Sequence, residues 1–173
     1  MTFFFRYLTA AEAWAPISSI SLGAWDEQII AFSVPHAEAA FATARLQVQA
    51  RESSYHALGR YAVVSVRLVD GGPIKPIIRG VITAIPRGLR DEVVEMELLC
   101  RPDDWQSQEL ALLQTLDVAP WFDPLLVDAD DALATEHVLQ GRAAVLAWDR
   151  ITGNPRVSYI DSGPRTVTLD SVV

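Results

Sequence analysis

Between Phe41 and Ala50 the chain alternates: Ala42, Ala44, Leu46 and Val48 fall on one face, Thr43, Arg45, Gln47 and Gln49 on the other. Successive strand side chains point to opposite faces, so this pattern predicts a half-buried strand. A second run, Tyr61–Val69, is rich in β-branched residues and puts Ala62, Val64, Val66 and Leu68 on the expected buried side. Asp70-Gly71-Gly72-Pro73 breaks it, because glycine supplies positive φ and proline cannot continue a ladder. The extended pattern resumes over Pro76–Ile85, turns at Pro86-Arg87-Gly88, and returns over Val93–Cys100 with Val94, Met96, Leu98 and Cys100 on one side. Three strands joined by two Gly/Pro turns predict an antiparallel meander.

The period then changes. Asp103 reads as a helix N-cap with Gln106 three residues on, as a capping box requires. Trp105, Leu112 and Leu116, with Leu113 beside them, predict an amphipathic helix over about 104–116. Asp117–Pro124 (DVAPWFDP) reads as an aromatic, proline-punctuated link, after which Asp130 or Asp131 caps a second short helix ending at Gly141. Strand signals return at Ala143–Asp149, Arg156–Asp161 and Thr166–Leu169, with Thr152-Gly153-Asn154 as a hairpin turn. The order predicts a single α+β domain over residues 1–173, mainly antiparallel β. Its many short strands suggest a barrel, with two short helices inserted between strands over about 103–141.

Half of the 173 residues are hydrophobic and 21% are charged, the balance of a chain that builds a core. Fourteen Lys+Arg against 22 Asp+Glu leave a net charge of −8, which argues against a partner that is nucleic acid. A lone cysteine, Cys100, excludes an internal disulfide or a multi-cysteine metal site. The opening Met1–Leu8 lacks the basic and apolar regions of a signal peptide. The uncharged stretch Trp14–Trp25 is too short to span a bilayer and contains Pro16 and Gly23, so no membrane partner is expected.

Catalytic motifs are not evident. There is no G-x-S-x-G elbow, and Cys100 has no histidine near it in sequence; His36, His56 and His137 read as surface or loop residues. Asp123, Asp128, Asp130, Asp131 and Glu136 form the densest acidic cluster, which suits calcium by composition but fails the EF-hand pattern and reads better as helix capping and solvation. Glu136-His137 lacks the second histidine of a zinc helix. Gly71-Gly72-Pro73 lies between two strands and offers no helix N-terminus to a phosphate. The expectation is a non-enzymatic protein with no cofactor and no metal. Of five tryptophans, Trp105 and Trp148 are expected in the core, whereas Trp121 and Phe122 in the link are the better candidates for an exposed contact.

Several segments taken in order resemble the tail hub proteins of the phage late control gene D and baseplate hub superfamily, especially versions in proteobacterial prophages. They are Ile30–Val48 (IAFSVPHAEAAFATARLQV), Ile77–Ile85 (IIRGVITAI), Arg101–Trp105 (RPDDW), Ala119–Pro124 (APWFDP), Leu126–Asp128 (LVD) and Trp148–Gly153 (WDRITG). Arg79 stands where an aromatic is common in that family. The resemblance covers roughly residues 17 to 170, the first barrel of longer family members. It implies a hub-type barrel and a structural role: an adaptor, commonly a homotrimer, joining the tail tube to baseplate and spike proteins. Its place would be the cytoplasm during assembly and then the tail of the particle.

A ring of such subunits needs complementary surfaces. Arg79 and Arg87, set against the acidic stretch Asp117–Asp131 that includes Asp128, suggest a head-to-tail charge contact. An alternative from another class is a carbohydrate-binding β-rich module using exposed aromatics, Trp121 foremost. A third is a hydrolase acting through carboxylates such as Asp128.

Overall fold

A computed structural model describes residues 1–35, 40–85, 92–116, 138–139 and 144–159. Along the chain run β1 (Thr2–Leu8), a 3-10 turn (Ile17–Ser19), β2 (Ile29–Ser33), β3 (Thr43–Gln49), α1 (Glu52–Tyr55), β4 (Tyr61–Arg67) and β5 (Ile74–Ala84). Next come β6 (Val93–Leu99), α2 (Trp105–Leu116), β7 (Ala144–Trp148) and β8 (Pro155–Tyr159). Six strands form one antiparallel sheet in the order β1-β4-β5-β6-β3-β2, and β7 with β8 forms a separate hairpin.

The meander β4-β5-β6 is present as the turn chemistry predicts. Gly71 takes φ 75° and Gly72 N–H donates to the Val69 carbonyl at 2.9 Å, closing the β4–β5 turn. One face of the sheet carries the main core: Phe5, Ala44, Leu46, Val48, Val64, Ile78, Met96 and Leu98 are all buried. Burying this apolar face is the dominant driving force for the sheet. On the other face β4 is buried too, because Ile20 and Leu8 cover Val63 and Ser65 donates to the Leu22 carbonyl at 2.6 Å. That double burial corrects the sequence reading, which put only Ala62, Val64, Val66 and Leu68 of this run on the buried side: Val63 and Ser65 are buried as well.

The mainly antiparallel architecture matches the sequence reading, but the sheet is not closed into a barrel. Its edge strands β1 and β2 share no ladder. Instead the segment before β2 lies along the free edge of β1, with a Phe5–Trp25 bridge and Asp26 N–H donating to the Phe5 carbonyl at 2.9 Å. The edges meet only through side chains, with the Phe3 and Phe32 rings 5.7 Å apart.

Other expectations shift in detail. Leu68 is exposed, because the β4–β5 ladder ends at Arg67↔Ile74, one residue before it. The helix at Trp105–Leu116 forms, but the Asp103 carboxylate accepts the Tyr61 hydroxyl at 2.8 Å. Trp148 is buried and Trp105 half-buried, both against Phe41. One helix, α1, sits between β3 and β4, where no helix is predicted. Val138 and Leu139 are helical; the rest of the second predicted helix, the Pro86-Arg87-Gly88 turn, the DVAPWFDP link and the strand at Thr166–Leu169 lie outside the described residues.

Candidate functional site

Arg79 is the centre of the best-built polar site among the described residues. It stands on β5 in a cross-strand row with Val63, on the face opposite the main core. Pairing of β5 with β6 begins only at Val81↔Leu99, so the backbone N–H of Arg79 is left for another partner. It donates to the Arg150 carbonyl in the β7–β8 turn at 3.0 Å. The side chain continues the same attachment: Nε donates to the Ile151 carbonyl at 2.7 Å and Nη1 to the Ala15 carbonyl at 2.6 Å. The Trp14 ring covers the guanidinium, with Cζ 5.2 Å from its centroid.

Only 1% of Arg79 is exposed. This corrects the expectation of a surface charge: the residue ties β5, the loop after β1 and the β7–β8 turn together, and a partner cannot reach it in the folded chain. Burial pushes its pKa down, while Cys100 and Asp149 act in the opposite direction. Arginine stays charged through such a shift because its ordinary value is so high.

The turn held by Arg79 is itself tightly specified. The Asp149 carboxylate accepts the Ile151 N–H at 2.9 Å, the Thr152 N–H at 2.7 Å and the Thr152 hydroxyl at 3.0 Å. Burial raises the Asp149 pKa, but those donors outweigh it and the net shift is downward. Gly153 has φ 75° and packs so closely on Pro102 and Trp14 that a Cβ would overlap both. Here the WDRITG segment has a physical meaning: aspartate caps the turn and glycine lets it seat. Next to it, burial pushes the Cys100 thiol up to about 12, and its Sγ donates to the Asp149 carbonyl at 3.5 Å. A buried neutral thiol of this kind is a poor nucleophile.

A second polar cluster escaped the sequence reading. Glu27 is 1% exposed and its carboxylate accepts from the Tyr7 hydroxyl at 2.6 Å, Ser53 Oγ at 2.8 Å and Ser54 Oγ at 2.9 Å. Burial raises the Tyr7 pKa further than the hydrogen bond to Glu27 does, and Glu27's charge adds to both. These donors satisfy the carboxylate internally and pin α1 to the segment preceding β2. A single acidic residue in a turn-like stretch gave no signal of this.

Two surface features remain. At the β4–β5 turn Leu68 is 59% and Val69 71% exposed, and Arg67 lies over the Phe4 ring at 5.2 Å with its Nε buried and without a hydrogen-bond partner. Trp25 packs edge-on against Phe4 at 4.9 Å and is 57% exposed. Toward the other end, on the outer face of β2, β3 and β6, lies an open groove of about 430 Å3. Register puts Ser33, Arg45 and Glu97 in one of its rows and Ala31, Gln47 and Glu95 in the next. Arg87, Trp121, Phe122 and Asp128 lie outside the described residues, as does the acidic cluster around Asp128. Among the described residues no His, Cys, Asp and Glu side chains gather as a metal site, and no helix is long and apolar enough to cross a membrane.

No protein-family model matches the chain, and neither does any curated protein.

Proposed function

We propose that this chain is a non-enzymatic structural component of a phage tail or tail-like particle, an adaptor that joins the tail tube to baseplate or spike proteins. The observation that carries the reading is the ordered set of hub-like segments, from IAFSVPHAEAAFATARLQV through RPDDW to WDRITG. Two structural facts support it. The β7–β8 hairpin is tied to the sheet through the backbone and side chain of Arg79. Apolar side chains are also left exposed at the β4–β5 turn, where an assembled neighbour would cover them. In this reading the chain self-associates, as a trimer, and contacts other tail proteins by its outer surfaces.

The test is co-purification of the tagged chain with tail-tube and spike proteins, combined with absolute mass by light scattering over a concentration series. Capture of tube or spike protein by an assembled chain is the expected result. Failure to capture either one, with the chain folded, counts against the adaptor role.

A carbohydrate-binding role is the second reading, favoured by the exposed indole of Trp25 standing on Phe4. Aromatic faces of this kind stack on sugar rings. Glycan-array binding that disappears in Trp25→Ala or Trp121→Ala would select it.

A further inference from the structure

We propose that copies of the chain join head to tail, the β4–β5 turn of one seating in the β2–β3–β6 groove of the next. The contact rests on the reading of the chain as an assembling tail component and names the surfaces involved.

The turn supplies the inserted part. Leu68 and Val69 project past the last ladder pair, Arg67↔Ile74, and are more than half exposed. Arg67 stands at their base, shielded on one side by Phe4 and without an acidic partner within ion-pair distance among the described residues. Lys75, opposite Val66 in register, is exposed beside it, so two cations outnumber Asp70, the exposed carboxylate of the turn. A cation next to protruding apolar side chains seeks a carboxylate next to a recess.

The groove offers two carboxylates against one cation. Glu95 and Glu97 line it with the small residues Ala31, Ser33 and Ala84. Arg45 lines it too, opposite Glu97 in register, and the Gln47 amide donates to Glu95 at 2.9 Å. The two features cannot meet within one molecule. The turn closes the end of the sheet where β4 stops and β5 starts, whereas Ala84, at the far end of β5, pairs with Glu97 at the groove. Two different complementary surfaces at opposite ends of a rigid sheet generate a heterologous contact, which closes into a ring or grows as a filament.

Charge reversal tests this directly with the full chain, followed by light scattering and sedimentation. Wild type is expected to self-associate; Arg67→Glu, and separately the pair Glu95→Lys with Glu97→Lys, should each weaken association about tenfold or more. The three substitutions together should restore it, because the attraction is re-formed with the signs exchanged. Circular dichroism and thermal melts establish that each variant is folded. If Arg67→Glu does not fold, Val69→Asp, at an exposed turn position, takes its place and should give the same loss. A wild type that stays monomeric at all concentrations overturns the contact, as do unchanged association in the reversals or no restoration in the combined variant. A monomer that still captures tube or spike protein removes this contact while leaving the adaptor role standing; an assembling chain that captures neither does the opposite.

Discussion

The guanidinium of Arg79 donates to the backbone carbonyl of Ile151 at 2.7 Å, joining the central sheet to a hairpin that shares no ladder with it. A second bond from the same group reaches Ala15. No carboxylate is in direct contact with this cation among the described residues, so the carbonyls and the Trp14 ring compensate its burial, with Asp149 acting from farther off. Removing it leaves two buried carbonyls to find new donors.

Arg79→Met is therefore expected to cost about 2–4 kcal/mol of stability, from two unsatisfied acceptors. Arg79→Lys should recover only part of this, since one ammonium cannot reproduce a planar fork serving two directions. Urea denaturation measures the loss. Hydrogen exchange should show the 149–154 turn opening before the six-stranded sheet does.

Glu27→Ala should destabilise the chain by about 2–4 kcal/mol, because three hydroxyl groups lose their shared acceptor. Glu27→Gln, which keeps one carbonyl oxygen, should lose less. Proteolysis near α1 offers an independent readout: cleavage around residues 51–56 should accelerate in the alanine variant and stay close to wild type in the glutamine one.

Alkali should destabilise the fold from the pH at which Cys100 ionises in the unfolded chain. Cys100 is raised from 9.0 to about 12 by burial, so above pH 9 the unfolded chain releases a proton that the folded chain keeps. Stability is then fully present below pH 9 and falls as pH rises toward 12. Tyr7, raised by burial and by Glu27, adds the same sign above pH 10. Urea midpoints measured from pH 8 to 11 should decline, and Cys100→Ala should reduce the slope that begins near pH 9.

Glycine substitutions should separate close packing from backbone conformation. At Gly80 a Cβ would overlap the Leu99 carbonyl, where β5 and β6 first meet, so Gly80→Ala should cost about 3 kcal/mol or prevent folding. At Gly71 the space is open and only the positive φ opposes a side chain, so Gly71→Ala should cost about 1 kcal/mol. Equal melting temperatures for the two variants would contradict this account of the β5–β6 approach.

Elements whose identity depends on near neighbours were readable from the chain alone. The alternation of β3 and β6, the glycine turns at Gly71 and Gly153 and the helix from Trp105 express local preferences, and one buried face imposes a period of two that survives in the sequence. The hairpin turn at Thr152-Gly153-Asn154 was legible for the same reason, whereas the capping of it by Asp149 came only with the structure. What escaped was set by distant segments. Beta-1 is buried on both faces and shows no alternation, and Arg79 looked like a surface charge because an arginine in a strand usually is one. Only the arrival of Ala15 from 64 residues before it and Ile151 from 72 residues after it turns that position into an interior one. The same holds for Glu27, whose partners Tyr7, Ser53 and Ser54 come from either side of it. The barrel expectation failed on this ground as well. Strand number and length suggest curling, but closure depends on whether two edges meet in register, and here Trp25 and Asp26 occupy the edge of β1. Burial of a polar group and closure of a sheet are properties of the whole contact set, which no window of the sequence contains.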